Sequence, residues 1–225
     1  MILSIPVIAD PEQLAEIQSK VGQLSWNDGR QTAGKVAQAV KRNEQAVMDD
    51  PAGQALRQLI LPRIVENPTL RAATRPRHFS QVMVSKTYDG GFYGPHVDNA
   101  IMGQGDARMR SDISFTFFLS SPDSYEGGEL VVYADGLTQT VKAAAGNLVL
   151  YPSSSIHEVK PVTAGERVVC VGWIESMIAD PTQRQMVFEL QKTRKALSEK
   201  LASEAEELLA LDKIMANLLR MWAQP

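Results

Sequence analysis

Residues 113–119 read Ile113-Ser114-Phe115-Thr116-Phe117-Phe118-Leu119, and this run decides the fold class. Ile113, Phe115, Phe117 and Leu119 alternate with Ser114, Thr116 and Phe118, the two-residue period of a strand whose faces meet different surroundings. The run stops at Ser120-Ser121-Pro122. Upstream, Phe79, Val82 and Val84 open a run of β-formers that ends at Asp89-Gly90-Gly91. Downstream, Gly127-Gly128 precedes Leu130-Val131-Val132-Tyr133, and Asp135-Gly136 marks a turn. Further strands are expected at Thr140–Ala143, Asn147–Tyr151, Val159–Val162 and Arg167–Ile174. Many short strands without intervening helices predict an antiparallel sandwich or barrel.

The flanks have another texture. Asp10-Pro11 and Asp50-Pro51 each supply an N-cap followed by proline at the first helical position. Leu14, Ile17, Val21 and Leu24, then Leu56, Leu59, Ile60 and Ile64, follow at helical spacing, so residues 10–67 read as helical around a polar, unassigned stretch at 27–45. Residues 181–225 return to helix, with Leu190, Leu197, Leu201, Leu208 and Leu211 among charged residues. The expected organisation is therefore a helical support region at 1–75, a β domain at 76–178 and a helical region at 179–225. That last region either packs on the sheet or forms a homodimer contact.

Composition narrows the function classes. At 225 residues, with 44% hydrophobic and 22% charged residues, the chain matches a soluble globular protein. A chain of this size buries about 70% of its unfolded surface, so it needs no disulfides. Cys170 is the single cysteine, which fits a reducing compartment. A net charge of −3 disfavours electrostatic wrapping of nucleic acid. The longest apolar run, Val168–Ile174, is far short of the roughly 20 residues of a membrane span. Met1–Ala9 lacks the basic start of a signal peptide. A cytoplasmic protein without nucleic-acid or membrane partners is expected.

Three histidines occur, and two of them carry the chemistry. His96-Val97-Asp98 places an imidazole and a carboxylate two residues apart, on one face of an extended segment. His157 enters later, after Leu150-Tyr151-Pro152-Ser153-Ser154-Ser155. Two histidines and one carboxylate make the facial triad that leaves coordination positions open on non-haem Fe(II), for a chelating co-substrate and O₂. Arg167 follows ten residues after His157, across an expected hairpin turn at Thr163-Ala164-Gly165. It shares a strand face with Val169 and Val171. A buried arginine is costly unless paired, and an acidic co-substrate gripped bidentately would resolve that cost.

These motifs resemble the Fe(II)/2-oxoglutarate dioxygenases, and within them the bacterial PKHD-type hydroxylases. The resemblance is carried by the segments Tyr93–Ala100, Arg110–Ser114, Tyr125–Leu130, Leu148–His157 and Gly172–Ile178. It covers roughly residues 76–190 with no departure at a ligand position, and the tail beyond about residue 195 is its least characteristic part. The resemblance implies a double-stranded β-helix, or jelly roll, with His96, Asp98 and His157 as iron ligands and Arg167 on the distal carboxylate of 2-oxoglutarate. It implies Tyr88 as a second donor to that carboxylate and L-ascorbate as co-reductant. The implied reaction hydroxylates a small molecule or a protein side chain with O₂, releasing succinate and CO₂.

Other residues are read more plainly. Asn99, Arg108 and Arg110 either line a substrate mouth or form a polar loop. His78 reads as a surface histidine rather than a further ligand, and Glu158 as solvated surface. Cys170, Trp173 and Met177 read as core. The serines at 153–155 lack a nucleophile elbow. Two other function classes stand beside the dioxygenase: a non-catalytic metal or 2-oxo-acid sensor, and a cupin-like Zn or Mn enzyme. Arg167 discriminates, because it has no role without an acidic co-substrate.

Overall fold

The structure is a computed structural model that describes residues 1–32, 39–134 and 136–224. Residues 33–38 of the unassigned polar stretch, the turn residue Asp135 and Pro225 lie outside the described residues. The strands are β1 (Leu3–Pro6), β2 (Trp26–Asp28), β3 (Lys41–Arg42), β4 (Glu44–Ala46), β5 (Pro76–Phe79), β6 (Met83–Tyr88), β7 (Phe92–His96), β8 (Ile101–Met102), β9 (Met109–Arg110), β10 (Ile113–Phe118), β11 (Tyr125–Gly127), β12 (Leu130–Ala134), β13 (Leu137–Val141), β14 (Asn147–Pro152), β15 (Ile156–Val159) and β16 (Val162–Ser176). The helices are α1 (Pro11–Val21), α2 (Pro51–Val65), α3 (Pro68–Thr74), α4 (Pro181–Ser198) and α5 (Glu206–Trp222).

Among the described residues the strands make two antiparallel sheets and a two-stranded ribbon, β8–β9. The larger sheet runs β1-β14-β10-β16-β6-β4-β2, with β5 and β11 added on β16. The smaller runs β13-β12-β15-β7-β3. The alternation at 113–118 explains the layering. All six residues of β10 are buried, because both faces of the strand are covered. Phe115 and Phe117 join Leu150 of β14 and Cys170 of β16 in a core shared with Ile17 of α1, Leu56 of α2 and Phe188 of α4. Phe118 points the other way, with Val149 and Val169, onto Leu130 and Val132 of the smaller sheet. Each such side chain contributes about 1.5–3 kcal/mol by leaving water. The result is a jelly roll whose larger sheet is backed by helices.

Four helices begin the same way. Asp10, Asn67, Asp50 and Asp180 each precede a proline, and each side chain accepts a backbone N–H from the first turn, with Asp50 taking that of Gly53 at 2.7 Å and Asp180 that of Gln183 at 2.8 Å. Such a cap is worth about 1 kcal/mol.

The structure corrects the sequence reading in two places. Residues 10–67 are not helical throughout: β2 and β4 extend the larger sheet beyond β6, and β3 joins the smaller one. Preceding them, β1 pairs with β14, so the N-terminal region also supplies strands. Second, Thr163-Ala164-Gly165 is not a hairpin turn but lies inside β16. Gly165 has φ +72°, and an added Cβ would lie 2.1 Å from the Ser124 carbonyl oxygen, so the glycine serves the close approach of β11. The strands carrying His157 and Arg167 consequently belong to opposite sheets. The C-terminal region, expected as a long helix or a helix pair, is the pair α4 and α5, tied by Arg194 to Asp212 through two bonds of 3.0 Å. No described helix is long and apolar enough to cross a membrane.

Candidate metal centre

Cross-strand register brings the two distant histidines together. His157 on β15 stands directly opposite His96 at the end of β7, and directly opposite Val132 on its other side. Opposed residues share a face, and Val132 belongs to the cluster between the sheets. Both imidazoles therefore project into the sandwich, with ring centroids 4.2 Å apart. Asp98, just past β7, turns its carboxylate toward them, with Oδ2 3.6 Å from His157 Nε2. One ligand atom from each of His96, Asp98 and His157 lies within 4.8 Å of the others.

Neighbouring groups fix each ligand. His96 Nδ1–H donates to the Gly94 carbonyl at 2.8 Å, and His157 Nδ1–H donates to the Ser155 carbonyl at 3.0 Å. Both Nε2 atoms are thereby left as lone-pair donors facing Asp98. Tyr93 stacks on His96 at 3.6 Å, and Tyr151 meets His157 edge-on at 4.9 Å. Burial, then the adjacent His157, pushes the His96 pKa down to about 4, so the ring is neutral at pH 7, as a ligand must be. Asp98 Oδ2 accepts the Ser114 hydroxyl at 2.6 Å. A borderline-soft pair of imidazoles with one carboxylate suits a divalent first-row metal.

Across the sandwich, Arg167 on β16 is 2% exposed. Its guanidinium lies over the Phe118 ring, 5.4 Å from the centroid, beside Tyr125 and near Tyr151. Tyr151 thus spans the interval between His157 and Arg167. Burial pushes the Arg167 pKa below its ordinary value, opposed by Tyr125 and Tyr151. Arg167 Nε and the Tyr125 hydroxyl are both shielded from solvent and lack a hydrogen-bond partner of normal geometry. These two buried donors stand side by side and match a carboxylate, which offers acceptors only. Gly128, at φ +68°, leaves room for the Arg167 side chain: an added Cβ would lie 2.9 Å from Arg167 Cδ and 2.8 Å from Val162 Cγ2.

The other candidates fall elsewhere. Tyr88 does not reach Arg167. It is cross-strand from Glu166, while Thr87 is the neighbour of Arg167, so Tyr88 points from the opposite face of the sheet. There it is 38% exposed and donates to Glu44 Oε1 at 3.0 Å. Tyr125 occupies the place expected of it, a residue whose contact with Arg167 depends on the β11–β16 pairing and leaves no local mark in the sequence. Arg110 is committed to Asp112, at 2.6 and 2.9 Å, and to the Ser176 carbonyl at 3.0 Å, which anchors the loop after Asp98. Asn99 is exposed, and its carbonyl accepts the Ser111 hydroxyl. Arg108 is exposed on the same loop. His78 stands at the surface against Glu175, 3.3 Å away, remote from the triad's sheet. Glu158 is not solvated: it is 8% exposed beneath Tyr133 and Lys160, which both bond to its Oε1. Cys170 is buried, with a thiol pKa raised by desolvation, and is no nucleophile. Trp173 is half-buried and stands opposite Ser114.

The geometry agrees with what the chain is similar to. A family model described as the 2OG-Fe(II) oxygenase superfamily matches residues 82–175, and one described as the PKHD-type hydroxylase C-terminal domain matches residues 182–224. The C-terminal helices, taken from sequence as the least characteristic part, are thus a characteristic segment. A PKHD-type hydroxylase of Hyphomonas neptunium is 42% identical over 222 residues, covering 99% of each chain. One from Synechococcus elongatus is 42% identical over 224 residues, covering 100% of each. Among solved structures, a 2OG-Fe(II) oxygenase family oxidoreductase from Burkholderia pseudomallei superposes with TM-score 0.54 at 20% identity, over 77% of this chain and 84% of that one. A prolyl hydroxylase from Trichoplax adhaerens does so with TM-score 0.52 at 14% identity, over 77% and 83%. At these identities the structural likenesses show the fold.

Proposed function

We infer that this chain, which belongs to the PKHD-type hydroxylases of the 2OG-Fe(II) oxygenase superfamily, hydroxylates its substrate at one Fe(II) held by His96, Asp98 and His157, with 2-oxoglutarate anchored by Arg167. The observation that supports this reading is the convergence of His96, His157 and the loop-borne Asp98, with a buried, incompletely bonded guanidinium on the facing sheet. Bound Fe(II) with 2-oxoglutarate supplies the oxidising power for C–H hydroxylation, with succinate and CO₂ as co-products.

The residues have distinct tasks in this reading. His96 Nε2, His157 Nε2 and an Asp98 oxygen would hold the metal, three ligands that would leave coordination positions for the co-substrate and O₂. Arg167 and the Tyr125 hydroxyl take the distal carboxylate of 2-oxoglutarate through charge-assisted bonds, which orients its keto-acid end toward the triad. Phe118, Val149 and Val169 surround that carboxylate with apolar walls, which exclude water and strengthen each polar contact. The substrate is a small molecule or a protein side chain. L-ascorbate as co-reductant, a cytoplasmic location and a homodimer belong to the same reading.

Anaerobic visible absorption of the purified protein tests it. A charge-transfer band that requires both Fe(II) and 2-oxoglutarate is the expected result. Stoichiometric metal binding by folded protein with no such band would overturn the reading in favour of a Zn or Mn centre.

A further inference from the structure

The serine run at 153–155 has no nucleophilic geometry, yet two of its members touch the triad's surroundings. Ser155 offers the carbonyl that orients His157. Ser153, 2% exposed, lies 2.7 Å from Ser114 Oγ, and Ser114, 1% exposed, lies 2.6 Å from Asp98 Oδ2. The direction of this chain follows from the donor inventory. An ionised carboxylate only accepts, so the Ser114 proton goes to Asp98. The Ser114 oxygen is then free to accept, and Ser153 donates its proton to it. The order is Ser153 O–H to Ser114 O–H to Asp98 Oδ2, a relay in which each bond polarises the next.

Each serine is itself held in place by the sheet. Ser114 sits in β10 between Tyr151 of β14 and Trp173 of β16. Ser153 follows β14 directly and donates its backbone N–H to the Asp112 carbonyl at 3.2 Å. Asp98, by contrast, lies beyond the end of β7 on a loop, with no ladder bond to fix its side chain. Its carboxylate orientation therefore depends on the larger sheet, through Ser114.

We propose that Ser114 and Ser153 are positioning residues for the metal centre: they orient the Asp98 carboxylate toward the two imidazoles, with Ser153 acting through Ser114. The proposal rests on the metal-centre reading above. It accounts for two buried hydroxyls that point between the sheets instead of apolar residues, at the one place where a loop-borne ligand meets a rigid strand.

Direct titration of the metal-free protein with Mn(II), followed by electron paramagnetic resonance, tests it without reference to turnover. Outer-shell partners of metal ligands typically contribute 10–100-fold in affinity. Ser114→Ala is expected to weaken Mn(II) binding by about that factor, and Ser153→Ala by a smaller one. The double variant is expected to match Ser114→Ala alone, because Ser153 has no separate path to Asp98. Ser114→Thr, which keeps the hydroxyl, is expected to retain most of the affinity. Thermal melting of each metal-free variant separates this role from a structural one. A folded Ser114→Ala protein that binds Mn(II) within twofold of the parent overturns the proposal, and so does Ser153→Ala at parental affinity should Ser114→Ala fail to fold. His157→Ala is the control: if it too binds as the parent does, the metal-centre reading fails; if it alone loses binding, only the positioning role fails.

Discussion

Replacing Arg167 with methionine should move two measured quantities in opposite directions. The Arg167 guanidinium is 2% exposed, its Nε has no hydrogen-bond partner and its pKa is depressed by burial. Exchange of a buried ionic group for an apolar side chain of similar volume is commonly neutral or stabilising by about 1–4 kcal/mol. Methionine would rest against Phe118, Val149 and Val169, the apolar residues already in that cluster. The melting temperature of Arg167→Met should hold or rise, by about 2–4 °C per kcal/mol for a chain of this length. The co-substrate carboxylate, however, loses its cation. Removing one partner of a buried charged pair costs about 3–5 kcal/mol, which corresponds to roughly 10²–10⁴-fold weaker 2-oxoglutarate binding. Mn(II) affinity should be unaltered, since Arg167 touches none of the three ligands. Differential scanning fluorimetry and anaerobic titration of the charge-transfer band give the two numbers. Binding of 2-oxoglutarate within threefold of the parent would refute the assignment, whatever the stability.

Other outcomes follow from placement. Tyr88→Phe should leave 2-oxoglutarate affinity unaltered in the same titration, because Tyr88 projects from the face opposite Arg167 and bonds to Glu44. Gly128→Ala should lower stability by about 2–4 kcal/mol in urea unfolding, from a left-handed backbone and overpacking together, and should weaken 2-oxoglutarate binding by displacing Arg167. Lys41 is buried, and desolvation lowers its pKa to about 8. The folded protein therefore releases this proton before the unfolded chain does, and the penalty for keeping it is complete below about pH 8 and fades as pH rises toward the ordinary lysine value of 10.5. Some of that penalty is offset by the cation–π contact with Tyr93. Lys41→Met should thus gain up to about 2 kcal/mol at pH 7, by thermal melting, and that gain should shrink by pH 10.

What was legible in the sequence was local or periodic. The alternation at 113–118 survives because each face of β10 meets its own layer, and Asp10-Pro11 and Asp50-Pro51 mark helix starts because capping is settled within three residues. His96 and Asp98 are near in sequence, so their pairing was visible, and His157 and Arg167 stood out as polar residues in apolar runs. Long-range pairing was not legible. Gly165 signals a turn by composition, yet its neighbour across the sheet, Ser124, decides its role. Tyr88 and Tyr125 are equivalent candidates by type, and only the register of β6 and β11 on β16 separates them. Strands of two or three residues, such as β3 and β4, are too short to show a period. Glu158 reads as solvated from its alternation with His157, and it is buried only because Tyr133 on the next strand covers it.

The central claim is that His96, Asp98 and His157 hold a metal and Arg167 holds a 2-oxo diacid in one site between the sheets. A crystal structure of the protein with Mn(II) and 2-oxoglutarate, with anomalous scattering recorded at the manganese edge, tests it most directly. The account predicts a single anomalous peak bounded by the two Nε2 atoms and an Asp98 oxygen, with the distal carboxylate of the co-substrate on Arg167 and the Tyr125 hydroxyl. Manganese bound elsewhere, or 2-oxoglutarate at the metal with its distal carboxylate away from Arg167, would contradict it.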